Sequence, residues 1–558
     1  MKFAGCHSEL DSESLSANLG FDFLFGYNRF AMIKLNMLDY LIKNGIVIDG
    51  SGSEPLDANI GIIGDRIAYV GKGDMPAREI IDANGMVVSP GFVDTHGHSE
   101  FTLLADGRAE GKLSQGITTE INGNCGLSAA PLYGEAFEHR EEDLKELGIK
   151  ERWSTFSEYF YILKNKECAI NFAALCGHGN LRASVIGYKD AMPDKDAMNE
   201  MKRLLSDAVE QGARGMSTGL IYPPGVYSNS EELIELCSSL ATFHSSPIYT
   251  SHMRSEGDEL IEAIEEVVRI GRESGISVHI SHIKTSGERN WHKINDAIEL
   301  IEMARNDGLN LTCDIYPYTA ASTDLDSILP SWVYNGGVNE ELRRLQCPDT
   351  TKKIKEEIGF KDDNYWKGIS ISSVTRSENK WMEGETLLDI ALRMNKTPLD
   401  AFFQILISEK ARVGAIFFSM SEENLKRFLQ LSYTMIGSDS SARSFSGPTA
   451  RGKPHPRGFG SFPRFIAKFV RNEGSMPVSE AIKRITYLPA KTFCLKQRGL
   501  IKEGFYADIV AFDYEKIIDR ATFKDPYKKS EGIVYVFVNG KLSVKEGEIT
   551  DTVAGKII

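Results

Sequence analysis

Two imidazoles one residue apart, His96 and His98, follow an apolar run that ends in Asp94. On an extended strand, residues i and i+2 point to the same side, so both rings address one point. Imidazoles converging at the end of a strand are what a divalent metal ion takes. A bare His-x-His is as readily a pair of solvated loop histidines, so the rest of the chain must decide. Further donors sit in similar places. Cys125 lies in Gly123-Asn124-Cys125-Gly126, His252 in Ser251-His252-Met253-Arg254, His282 in Ser281-His282-Ile283-Lys284 and Asp439 in Gly437-Ser438-Asp439. Each follows a short apolar stretch. Alone, each reads as a buried thiol or a core histidine. Together they suffice for one or two metal ions.

The elements that must position these groups are eight apolar stretches: Met86–Asp94, Ile117–Asn122, Asn171–Gly177, Arg214–Gly219, Pro247–Met253, Ser277–Ile283, Asn310–Tyr318 and Tyr433–Ser438. Between them run helical patterns, clearest over Ala197–Gln211 and Gly257–Glu273, with apolar residues at helical spacing. Alternating buried strands and helices predict an α/β fold, a closed (β/α)8 TIM-type barrel whose chemistry sits at the C-terminal strand ends. The runner-up, an open doubly wound sheet, lacks a Gly-x-Gly-x-x-Gly after its first strand. Short strands parted by Gly, Asp and Pro precede and follow the barrel, with Asn539-Gly540 as a hairpin turn. They predict a small β domain built from both termini, residues 37–90 and 496–558. The barrel then occupies 91–495, with an insertion at about 324–432 that reads as a lid over the mouth. Residues 1–36 lack a clear period and read as a poorly ordered N-terminal extension.

The chain has 558 residues, 42% hydrophobic and 25% charged, with a formal net charge of -14. That balance argues against nucleic acid and anionic membrane as partners and fits a soluble enzyme. Eight scattered cysteines, none in a Cys-x-x-Cys pair, do not read as a disulfide framework. They predict a reducing cytoplasm. No apolar run approaches the ~18 residues of a membrane span.

These segments together resemble the amidohydrolase superfamily, and within it the N-acyl-D-amino-acid deacylases (D-aminoacylases). The matching residues are Pro90–His98, Gly116-Ile117-Thr118-Thr119, Asn124-Cys125-Gly126, Gly177-His178-Gly179, Ser217–Leu220, Thr250–Arg254, Ser281-His282, Tyr316-Pro317-Tyr318, Gly437–Asp439 and His455-Pro456-Arg457. The match runs in order from about Met37 to the C-terminus. The resemblance implies a tightly held zinc on Cys125, His252 and His282, a weaker second site on His96 and His98, and Asp439 as acid/base. It implies hydrolysis of N-acyl-D-amino acids by metal-activated water, giving a carboxylate and a free D-amino acid. Arg457 would grip the α-carboxylate of this small-molecule substrate, with Lys284 and Tyr318 nearby. The segment Arg214–Leu220 holds no lysine, which disfavours branches that use a carbamylated one. The chain departs from the pattern at Ser99-Glu100, at Ile283 and in the long Ser- and Gly-rich stretch from Asp439 to His455.

Two other readings compete. One is the same fold acting on a D-residue-containing dipeptide or a cyclic amide. The other is a non-catalytic barrel, which loss of Asp439 or the metal ligands would signal. Arg254 or Arg443 are the cations available to an acidic side chain. His178 reads as a partner behind the ligands. His279, an odd number of residues from His282, should face the other way. The sequence specifies no oligomeric state.

Overall fold

The structure is a computed structural model that describes residues 37–558. The proposed extension, 1–36, lies outside them. The barrel strands are Phe92–Asp94, Ile117–Asn122, Asn171–Gly177 (interrupted at Leu175), Gly215–Gly219, Ile248–His252, Ser277–Ile280, Leu311–Ile315 and Thr434–Ile436. All neighbouring pairs run parallel. The ring closes between the first and eighth strands through a parallel bridge, Gly97 to Ser440. There the Asp439 N–H donates to the His96 carbonyl at 2.8 Å. These strands are almost wholly buried, as parallel strands covered by helices must be.

The helices pack an apolar stripe on the barrel. Lys195–Glu210 starts at Asp194, whose side chain accepts from the Ala197 N–H, and buries Met201, Leu204, Leu205 and Ala208. Leu260–Ser274 buries Leu260, Ile264, Val267, Val268 and Gly271 and stops at Gly275, φ 75°. Each buried Leu, Ile or Val is worth roughly 1.5–3 kcal/mol, so Val267→Asp would open this contact.

The apolar run Met86–Asp94 is not one barrel strand. It splits at Gly91. Val87–Pro90 pairs antiparallel with Ile509–Phe512 in a seven-stranded sheet, while Phe92–Asp94 enters the barrel. A side chain at Gly91 would lie 2.2 Å from Thr118 Oγ1, so only glycine permits the change of sheet. The seven-stranded sheet joins both ends of the chain, in the order Glu548–Ile549, Lys541–Lys545, Ile533–Val538, Ile509–Phe512, Val87–Pro90, Ile46–Val47, Leu56–Asp57. Its hairpin at Asn539-Gly540 has positive φ at both residues (48° and 75°), as a type I′ turn requires.

Between the seventh and eighth strands the chain builds a three-stranded antiparallel sheet, Ala321–Asp324, Gly414–Phe417 and Ile369–Ser373, with helices and an apolar core of its own. Among the described residues no helix is long and apolar enough to cross a membrane.

Candidate metal centre

The C-terminal strand ends converge. One ligand atom each from His96, Cys125, His282 and Asp439 lie within 4.8 Å of one another, and the same holds for His252, Glu256 and His282. Cys125 Sγ is 3.3 Å from His96 Nε2 and 3.4 Å from His282 Nε2. His98 joins through Asp439, whose Oδ1 is 3.3 Å from His98 Nε2 and 3.7 Å from His96 Nε2. Three of these residues hold left-handed backbone: Cys125 (φ 53°), His282 (φ 34°) and Asp439 (φ 47°). Such conformations cost about 1–3 kcal/mol each in a non-glycine residue and gather where function demands them.

The buried partners fix which nitrogen faces the cluster. His96 Nδ1 is 3.2 Å from Asp314 Oδ2, and His282 Nδ1 is 2.8 Å from Glu256 Oε1. With each carboxylate accepting an Nδ1–H, both Nε2 lone pairs point inward, the arrangement metal-ligating histidines use. His252 is 5% exposed, yet neither of its ring nitrogens has a partner. A buried imidazole without hydrogen bonds is costly. A metal on His252, His282 and Cys125 would satisfy it, so the donors present fit a tetrahedral, zinc-type ion.

The charges agree. Burial disfavours a Cys125 thiolate, but with His96 and His282 protonated their charges overcome this and hold the thiol well below its ordinary value, and a metal ion would supply that positive charge when the rings are neutral ligands. Burial likewise works against an Asp439 carboxylate, and Arg457 and His282 hold it well below the usual range. Arg457 Nη1 lies 2.9 Å from Asp439 Oδ2, with the guanidinium over the Tyr316 ring at 4.5 Å. These groups open into a cavity of about 830 Å³ walled by barrel strand ends and by Ser322–Asp324 of the insertion.

The sequence pattern of the Amidohydrolase family matches residues 79–314 and 447–544. The D-aminoacylase of Alcaligenes xylosoxydans xylosoxydans is 34% identical over 525 residues, 93% of this chain and 97% of that protein. The chain belongs to the amidohydrolase family. A crystal structure of N-acyl-D-glutamate deacylase from Bordetella bronchiseptica, complexed with zinc and a phosphonate inhibitor, superposes with a TM-score of 0.79 at 34% identity, covering 94% of this chain and 99% of that one. A D-aminoacylase structure gives 0.78 at 35% identity, over 93% and 99%.

In this amidohydrolase some expected residues stand elsewhere. Tyr318 does not face the cavity. Its hydroxyl turns to Asp519 Oδ2 at 3.3 Å, under the Arg464 guanidinium, and the tyrosine on the cavity wall is Tyr316. The strand ends at Ile315, so Tyr318 lies beyond the reach of its alternation. Lys284 is on the wall but paired with Glu256. Arg254 is spent on Glu266 and on the Val226 and Ser228 carbonyls. His178 pairs with Glu232, itself bound to Arg182, and touches none of the cluster's ligand atoms. His279 does not face away. Its Nε2 is 2.8 Å from Asp314 Oδ2 inside the barrel, because the strand ends at Ile280 and the left-handed His282 breaks the parity.

Sequence reasoning missed the supports. Asp314 was legible as the one charged residue in Leu311–Ile315, and Glu256 as an acid four residues past His252. Lys112 gave no signal. It is fully buried, with Nζ 2.7 Å from Asp94 Oδ2, Glu120 Oε1 and Ser438 Oγ and 2.9 Å from the Ser440 carbonyl. It ties the first, second and eighth strands together beneath Asp439.

Proposed function

We propose that this protein is a zinc-dependent deacylase of N-acyl-D-amino acids, releasing a carboxylate and a free D-amino acid. The observation that carries the reading is one cavity lined by His98, Cys125, His252, His282, Asp439 and Arg457, in which His282 belongs both to the donor group with His96, Cys125 and Asp439 and to the one with His252 and Glu256. Cys125, His252 and His282 would hold the tight ion, and His96 and His98 would offer a second, weaker site. Zinc held there would supply Lewis-acid polarisation of the acyl carbonyl and lower the pKa of a water.

The side chains do the rest. Asp439, held ionised, accepts the proton of the attacking water and delivers it to the departing amide nitrogen. Arg457 presents a fork suited to the α-carboxylate, and its tether to the Ser322 carbonyl (3.2 Å) aims it across the cavity. Lys284 and Tyr316 line the same wall, Lys284 by orienting Glu256 and through it His282. The unpaired cysteines outside the metal centre, Cys168, Cys176, Cys237, Cys313, Cys347 and Cys494, support a reducing cytoplasmic home.

The test is release of free amine by zinc-loaded protein from N-acetyl-D- and N-acetyl-L-amino acids, with hydantoins as cyclic controls. Turnover of the D series alone is expected. Preference for the L series, or for the hydantoins, would overturn the assignment.

A further inference from the structure

Away from the metal cluster the cavity has an arm that the proposed reaction does not use. Three carboxylates line it: Asp324 and Asp326, at and just beyond the end of the strand Ala321–Asp324, and Glu341 on the helix Val338–Gln346. Glu341 is 4% exposed, and its Oε1 has no hydrogen-bond partner. Among the described residues none of the three forms an ion pair with a cation. Arg140 and Arg412 are close enough for their charges to favour ionised Asp324, but neither pairs with it. Arg140 and Arg412 bind Asp143 at 3.1 and 2.7 Å, Arg412 also binds Glu146 at 2.7 Å, and Arg344 donates to the Val333 and Asn335 carbonyls. Acids gathered on one wall favour a cation, whose charge would let the buried Glu341 ionise, and a buried acceptor without a donor is costly to keep. Glu341 shows the strain as a carboxyl pushed up to about 8 by burial and by Asp324.

The arm is continuous with the reacting site. The Ser322 carbonyl takes Arg457, Thr323 Oγ1 lies 2.8 Å from the Tyr222 hydroxyl, and the Tyr222 ring packs on His252 at 5.0 Å. Asp324 lies two residues past Ser322, about 7 Å along an extended strand. A group joined to the substrate by a few bonds spans that distance.

We infer that Asp324, Asp326 and Glu341 form a subsite for a cationic group, an ammonium or guanidinium, carried by the substrate. The assignment rests on the deacylase reading, which supplies the amide to which that group is attached. The cation can belong to the D-residue's side chain or to the acyl part, and two pairs of probes separate these sources. N-acetyl-D-lysine against N-acetyl-D-norleucine tests the side chain. 6-Aminohexanoyl-D-alanine against hexanoyl-D-alanine tests the acyl part. In one pair the charged member should show a kcat/KM at least tenfold above its neutral isostere. That ratio should fall toward one in Glu341→Gln, and independently in Asp324→Asn on the less buried wall.

Turnover of the neutral probes with no charged preference in either pair would overturn the subsite and leave the deacylase intact. Absence of turnover on every probe would instead refute the deacylase reading. Calorimetric titration with the same pairs then decides the subsite. Tighter binding of a charged member, lost in Glu341→Gln, supports it, and equal affinities overturn it.

Discussion

Replacing Lys112 by Met tests whether the buried charges beneath the metal cluster hold the barrel's seam. Lys112 is 0% exposed, and so are Asp94 and Glu120, its two carboxylate partners at 2.7 Å. Methionine matches the length of the stem but leaves both carboxylates without their cation. Nor can they move apart freely: a single added carbon at Gly97 would already lie 2.3 Å from the Glu120 carboxyl. Removing one partner from a buried ion pair costs about 3–5 kcal/mol, and the two partners here put the expectation at the upper end. The damage should reach the reaction, because Lys112 holds Ser438 and Ser440 on either side of Asp439, and Asp94 accepts from the Ser438 N–H at 2.8 Å. Urea unfolding followed by circular dichroism should show the loss, and kcat should fall while zinc, measured by elemental analysis, stays bound. Adding Glu120→Gln removes one stranded charge and should return roughly 1–3 kcal/mol as a coupling energy. A loss below about 1 kcal/mol in Lys112→Met, or no coupling to Glu120→Gln, would refute the claim that the seam depends on this triad.

Other perturbations read other parts of the site. Cys125→Ala should abolish tight zinc binding, since it removes the thiolate shared between His96 and His282; full zinc occupancy in that variant would contradict its place as a ligand. Asp439→Asn should lower kcat by roughly 10²–10⁴ with zinc retained, and near-normal turnover would remove Asp439 from proton transfer. Arg457→Ala should raise KM for N-acyl amino acids far more than for an uncharged amide, with equal losses counting against carboxylate recognition. The folded-state pKa of Glu341, about 8, exceeds its ordinary 4.5, so the native state keeps a proton that the unfolded chain releases. Its contribution is fully present below pH 4.5 and is lost as pH rises through 8. Glu341→Gln should therefore flatten the decline of stability across that window, and an unchanged slope would show that Glu341 titrates normally.

The His-x-His, the Asn-Cys-Gly segment and the histidines after the fifth and sixth strands were legible because metal chemistry restricts residue types. The alternation of apolar strands and amphipathic helices was legible because burial imposes a period. Both are local properties, and a sequence carries local properties openly. Position along the chain sufficed to place Cys125, His252, His282 and Asp439 at one barrel mouth, since parallel strands present their C-terminal ends together. Parity failed where the strands stop. His279 was misplaced because alternation holds only within regular extended backbone, and Ile280 ends it; Tyr318, expected at the site only by resemblance, lies past the end of its strand at Ile315, with its hydroxyl on Asp519. The role of Lys112 was illegible for a different reason. Lys112, Asp94, Glu120 and Ser438 meet across strands far apart in the chain, and a lysine that neutralises two buried acids looks in sequence like any lysine on a surface helix. Likewise Glu341 reads as an exposed acid in the first turn of a helix, and only the packing of the insertion against the cavity removes its water. What the sequence by itself determined was which groups can bind a metal and the order of the elements that carry them. What only the tertiary structure decided was which charges lose their solvent and which partners replace it, because desolvation depends on everything folded around a residue rather than on its neighbours in the chain.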